Sequence, residues 1–197
     1  KIRFEGDGYG ENWEKEAKKR GLSNNKTTPE ALKVKTSQET IALFEEMEVM
    51  NKIEVEARYE IDLEEYTKKI QIESRVLGDI SRNHVVPTAI LYQNTLIENT
   101  SGLKNIFGED YKNIAKEQIE LIMIISNHIT KINALVQEMT DERRKANKLE
   151  GLKAAETYCK KVKPFFEQIR YHCDKLETMV DDNLWPLTKY RELLFTS

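Results

Sequence analysis

Three stretches of this chain repeat apolar residues in alternating four- and three-residue steps, and that repeat leaves few folds open. Tyr59, Leu63, Tyr66, Ile70, Glu73, Leu77, Ile80 and His84 form the first set. Tyr111, Ile114, Gln118, Leu121, Ile125, His128, Ile132, Leu135 and Met139 form the second, and Tyr158, Val162, Phe165, Ile169, His172, Leu176 and Met179 the third. Such spacing puts each set on one stripe of an α-helix. The breaks between them are short: Asn99-Thr100-Ser101-Gly102 and Phe107-Gly108 read as turns, and Gly151 ends the second stretch. Three amphipathic helices joined in this way pack antiparallel to bury their stripes. The expected fold is all-α, an antiparallel bundle of long helices over about 52–99, 109–148 and 152–180. Short N-terminal helices precede it and an apolar C-terminal tail docks on it. Pro87 and Pro164 each lack a backbone donor and are expected to kink their helices.

The first 50 residues have a different texture. Ile2 to Phe4 reads as the end of a strand, followed by the turn Gly6-Asp7-Gly8-Tyr9-Gly10. A short helix follows and is stopped by Gly21; Thr28 with Pro29 starts another, and Ser37 a third. Ile41, Leu43, Phe44 and Met47 supply apolar contacts there. Residues 1–50 are therefore read as a connector and 51–197 as the helical domain.

Charge excludes some partners. Thirty-one basic and 34 acidic residues leave a net charge of −3, which gives little pull on nucleic acid or anionic membrane. The longest unbroken apolar run, Leu121 to Ile125, is far shorter than the roughly 18 residues of a membrane span. The expectation is no nucleic-acid and no membrane partner. Cys159 and Cys173 fall on one helix, roughly 21 Å apart at about 1.5 Å per residue, beyond disulfide reach. Reduced thiols and a cytoplasmic location are expected. The first residue is Lys, not Met, and the chain is expected to be a piece of a longer protein.

Candidate chemistry is sparse. Gly6-x-Gly8-x-Gly10 lacks the spacing of a dinucleotide or Walker loop and reads as a plain turn. His84, His128 and His172 fall on three different stripes, and folding the hairpins brings them to one level. With Cys173 nearby they are candidate zinc ligands; the plainer reading is three structural histidines. The acidic set Glu54, Glu56, Glu60, Glu64 and Glu65 lies at the spacing of a solvated helix face. Asp141-Glu142-Arg143-Arg144-Lys145 closes a helix with cations, as the helix dipole favours. No nucleophile–base signature occurs, so no catalytic residue is assigned. Phe165, Phe166, Trp185, Leu187, Leu193, Leu194 and Phe195 are candidates for an interface or for closing the bundle's own end.

Several segments carry a resemblance. They are Phe4-Glu5-Gly6-Asp7-Gly8-Tyr9, Trp13-Glu14-Lys15-Glu16-Ala17-Lys18-Lys19-Arg20-Gly21-Leu22, and Thr27-Thr28-Pro29-Glu30-Ala31-Leu32. Ala57-Arg58-Tyr59-Glu60-Ile61, Ile72-Glu73-Ser74-Arg75 and Asn83-His84-Val85-Val86-Pro87-Thr88-Ala89 continue it. Arg170-Tyr171-His172-Cys173-Asp174-Lys175-Leu176-Glu177 and the ending Leu184-Trp185-Pro186-Leu187-Thr188-Lys189-Tyr190-Arg191-Glu192-Leu193-Leu194-Phe195 complete it. Together they resemble the C-terminal region of bacterial type III glutamine synthetases across essentially the whole chain. Thr188, where that family often has Pro, is a minor departure.

The resemblance implies a parent enzyme that makes glutamine from glutamate, ammonia and ATP with Mg²⁺ or Mn²⁺. It implies a dodecamer of two hexameric rings, with catalysis in a β-grasp and a larger domain upstream of these residues. No position here matches the metal-binding carboxylates, the ATP site or the phosphate-binding arginines of that family. The chain alone is therefore expected to be inactive and to hold no cofactor. Its expected partners are its own catalytic domain and neighbouring subunits. The alternative is a regulatory module that binds a partner protein or a signal of nitrogen status.

Overall fold

The structure, a computed structural model, describes residues 3–195; the side chains of Tyr190 and Arg191 are outside the description. Every regular element among the described residues is helical, as the stripes require. Arg3 to Glu5 is irregular rather than a strand end, and Ile2 lies outside the described residues. The contacts divide the chain into two compact units, one up to Tyr66 and one from Thr67. The sequence boundary near Asn51 marks instead where the long helix begins.

In the first unit, α1 (Glu11–Lys19) follows a glycine-rich turn whose Asp7 carboxylate accepts the Tyr9 N–H. Phe4 packs on Trp13 at 4.7 Å between ring centroids, and the Arg20 guanidinium lies 5.8 and 5.6 Å from the two rings. Gly21, at φ +72°, ends α1: Leu22 N–H reaches the Ala17 carbonyl and Gly21 N–H the Lys18 carbonyl. A residue with a side chain is strained in that conformation. Thr27, one residue earlier than expected, stands at the N-cap position of helix α2 (Thr28–Lys33) without a side-chain capping bond, and Pro29 lies in the first turn. Ser37 caps α3 (Gln38–Glu46) by accepting the Thr40 N–H at 3.2 Å.

Helix α4 (Lys52–Ile80) opens on a reciprocal cap. Asn51 Oδ1 accepts the Glu54 N–H at 3.0 Å, and Glu54 Oε2 accepts the Asn51 N–H at 2.8 Å. A single π-turn, Ser81–Val85, leads into α5 (Val86–Phe107). The expected turn at Asn99-Thr100-Ser101-Gly102 is a correction: those residues are helical. Thr100 Oγ1 bonds the Leu96 carbonyl and Asn99 bonds Gln118 at 2.7 Å, so the polar run satisfies the helix instead of breaking it. The chain turns at Gly108, φ +59°.

The second stretch is divided. A short α6 (Tyr111–Ile114) bends at Ala115 into α7 (Lys116–Ala146). Then come α8 (Gly151–Thr157), a second π-turn (Tyr158–Val162) and α9 (Pro164–Glu177). A short α10 (Tyr190–Leu193) follows the irregular tail. Both prolines are absorbed in the same way. Val86 N–H bonds the Ser81 carbonyl and Lys163 N–H the Tyr158 carbonyl, each five residues back and each just before a proline. One widened turn accommodates the missing donor without ending the helix.

Cross-helix bonds fix the register within the second unit. Asn99 meets Gln118, Gln93 Nε2 donates to the Ile122 carbonyl and to Ser126 Oγ (both 2.8 Å), Arg82 donates to the Asn133 carbonyl, and Gln71 donates to Asn147. Numbers rise on one side as they fall on the other, so α4–α5 runs antiparallel to α7. The core between α7 and the third stretch is Ile125, Ile132, Val136 and Met139 against Tyr158, Val162, Ile169 and Leu176, all buried. A window of 18 residues in α7 is long and apolar enough, by length and composition, to cross a membrane. Here its central stripe packs on neighbouring helices, while Met123 and Ile124 stay exposed.

The first stripe holds at Leu63 and Ile70, both buried, and from Glu73 onward is displaced by one position from the sequence reading. Ser74, Ser81 and Val85 are buried, whereas Glu73 and His84 are exposed. Both serines return their hydroxyls to their own helix, Ser74 to the Gln71 carbonyl and Ser81 to the Leu77 carbonyl, each at 2.7 Å. Gly78 lies between them, and a Cβ there would stand 3.3 Å from Val136 Cγ1. Small residues let α4 approach α7 closely.

Candidate functional site

The histidines are the first candidates, and the structure brings together two of them. His128 on α7 and His172 on α9 face each other with 2.8 Å between their Nδ1 atoms, rings edge to face at 5.1 Å. His84 is exposed beside its π-turn. Among the described residues no group of three His, Cys, Asp or Glu side chains is placed to hold a metal ion. Cys173 instead lies 3.6 Å from Ser81 Oγ, and burial pushes its thiol pKa up. Burial, then the Lys175 charge, lowers the pKa of His128; burial, then His128 and Lys131, lowers that of His172. His172 borders an open cleft that Lys131, Leu135, Glu167, Gln168 and Tyr171 also line. What the arrangement does chemically is to join α7 to α9 through one shared proton.

The apolar candidates divide into two groups. Trp185 is half-buried: Lys189 reaches past its ring, 5.9 Å from the centroid, to donate to the Glu177 carbonyl at 2.9 Å and to pair with Asp182. This folds the tail back on the end of α9. The Trp185 indole N–H is shielded from solvent and has no acceptor. Leu193, Leu194 and Phe195 are 58, 61 and 83% exposed, and Leu187 is at the surface as well. Phe165 and Phe166 are half-buried. Phe166 floors a groove with Ile72, Val76, Leu77 and Ile80, in which Ile72 and Val76 are more than half uncovered or close to it.

Sequence reasoning missed this groove. Ile72 and Val76 fall between members of the first stripe, and their four-residue spacing is a second, outward-facing apolar row on the same helix. It missed the Asn51–Glu54 cap as well, although Asn-x-x-Glu ahead of an apolar run is a legible helix start.

Comparison with known proteins places this helical architecture. Residues 1–104 match the family model described as the glutamine synthetase C-terminal domain. The chain is 48% identical over 197 residues to a glutamine synthetase of Bacteroides fragilis, covering 99% of this chain and 27% of the relative. It is 30% identical over 204 residues to a type-3 glutamine synthetase of Dictyostelium discoideum, covering 99% and 27%. A glutamine synthetase of Butyrivibrio fibrisolvens is 26% identical, with 100% and 28% covered. The chain thus spans about a quarter of the length of these relatives. With over half its length matched by that model, the chain belongs to the glutamine synthetase C-terminal domain family.

Proposed function

We propose that this chain is the structural, non-catalytic part of a type III glutamine synthetase, where it joins neighbouring subunits of a homo-oligomer and braces its own catalytic domain. The observation that carries the reading is the exposed apolar ending, Leu193, Leu194 and Phe195, on a tail already anchored at Trp185 and Lys189. Apolar side chains left this exposed gain by being covered with another surface. The uncovered Ile72 and Val76 and the unpaired indole N–H of Trp185 support the same reading.

The parent's activity, ligation of ammonia to glutamate with ATP and Mg²⁺ or Mn²⁺, is proposed from the relatives' names and the sequence resemblance. Its cofactors are assigned to residues outside this chain, because no position here matches the metal-binding carboxylates or ATP site of the family it resembles. A dodecamer is the assembly the resemblance implies. Two free cysteines, Cys159 and Cys173, suit a cytoplasmic location.

The test is absolute mass by light scattering of a full-length glutamine synthetase that carries this chain, compared with a form truncated before α4. The reading expects the truncated protein to disperse into smaller species. An unchanged oligomer with unchanged glutamine formation overturns it, and lost response to an effector in that oligomer assigns the chain a regulatory role.

A further inference from the structure

The first unit holds an open cavity of about 450 Å³, between α2, the turn Val34–Thr36, α3 and the start of α4. Its floor is the buried Val55, and Ala31, Val34, Phe44 and Met50 line it further. The path of the chain after α3 makes this space. Glu48, at φ +53°, reverses the backbone, and the Val49 N–H reaches the Phe44 carbonyl at 3.0 Å. Met50 is thereby returned to the same cavity as Phe44. Thr40 Oγ1 donates to the Val34 carbonyl at 2.9 Å and ties the turn Val34–Thr36 to α3.

Two cations stand in this apolar lining, Lys35 and Arg58. Lys35 is paired with Asp62. Arg58 has a carboxylate four residues away on either side along α4, Glu54 and Asp62, the usual helix partners. Both are committed elsewhere: Glu54 Oε2 accepts the Asn51 N–H at 2.8 Å, and Asp62 holds Lys35. The Arg58 guanidinium therefore has no hydrogen bond or ion pair among the described residues. Arg58 is exposed and Val55 buried, so the cavity runs from a cationic mouth to an apolar floor.

A concave, mostly apolar space of this volume with a few polar groups at one end is the usual form of a small-molecule site. Arginine's planar fork matches an oxyanion through two parallel bonds. One unpaired guanidinium balances a singly charged head, which favours a carboxylate over the nearly doubly charged phosphate. We propose that this cavity binds a small amphipathic carboxylate, with its apolar chain against Val55, Phe44 and Met50 and its head on Arg58. The site is independent of the apolar tail, so it stands or falls apart from the proposed structural role.

Calorimetric titration of the 197-residue chain with sodium octanoate, kept below its micelle-forming concentration, tests the proposal. Octanol and sodium acetate at equal ionic strength supply the apolar chain and the head separately. Saturable octanoate binding at one site per chain is expected. Octanol, acetate, and octanoate with Arg58→Gln should each bind about tenfold or more weakly, the worth of a charged hydrogen bond or of the lost apolar contact. Val34→Asp, which sets a carboxylate in the lining at a position 49% exposed, should abolish octanoate binding. Lys52→Gln, which removes a cation of α4 outside the lining, should leave it unchanged. Arg58 and Val34 are both exposed, so either variant serves should the other fail to fold. No saturable octanoate binding, octanol or acetate binding as tightly as octanoate, or affinity undiminished in Arg58→Gln overturns the proposal.

Discussion

His128 Nδ1 and His172 Nδ1 stand 2.8 Å apart, and at that distance one ring donates while the other accepts. A single extra proton can be shared between them. Two protons cannot, because both nitrogens would then be donors facing each other. Lys131 and Lys175 press the same way, each lowering the pKa of one member of the pair.

The pH dependence follows from that relationship. Both folded-state pKa values lie below the ordinary 6.5, so the unfolded chain takes up protons first as pH falls. The pair's contribution is fully present above about pH 6.5 and is lost as pH drops from there through the lowered folded values. Denaturant unfolding between pH 8 and pH 5 should show stability falling across that window. In His172→Gln the fall should be smaller. An identical profile in the variant would remove the pair as its cause.

Core and surface positions on the same helices should respond differently. Ile169 is fully buried between α9 and α7, and Ile169→Ala should cost about 2–5 kcal/mol in urea unfolding. Ile72 is 59% exposed, and Ile72→Ala should stay within about 0.5 kcal/mol in the isolated chain. Equal losses at both positions would contradict the assignment of inner and outer rows on these helices.

The start of α4 offers a local test. Asn51→Ala removes the acceptor of the Glu54 N–H and should cost about 1 kcal/mol, with faster amide exchange confined to the first turns of α4. Asn51→Ser or Asn51→Asp should restore most of it. Unchanged exchange in the alanine variant would deny the cap its role.

Much of this architecture was legible because large apolar residues mark it. Tyr158, Val162, Ile169 and Leu176 of the third stripe are buried as its spacing predicts; in the second, Ile125, Ile132 and Met139 are buried while Ile114 is exposed. The first is right at Leu63 and Ile70 and slips from Glu73 onward, where its inward members are Ser74, Gly78 and Ser81. Their value lies in small size and close approach, which a hydrophobic pattern does not register. The polar run Asn99 to Gly102 misled for a related reason: its side chains bond within and between helices, so turn-forming residue types served a helix. Pairing of His128 with His172 was foreshadowed by their common level.

The apolar tail is proposed to be a contact surface. The most direct measurement is the absolute mass, by light scattering, of a full-length glutamine synthetase that carries this chain with Leu193→Ser, Leu194→Ser and Phe195→Ser together. These side chains are exposed here, so the change should leave the helical unit folded. Smaller species than the unaltered protein forms at the same concentration are expected. The same mass, with circular dichroism and glutamine formation unchanged, would contradict it.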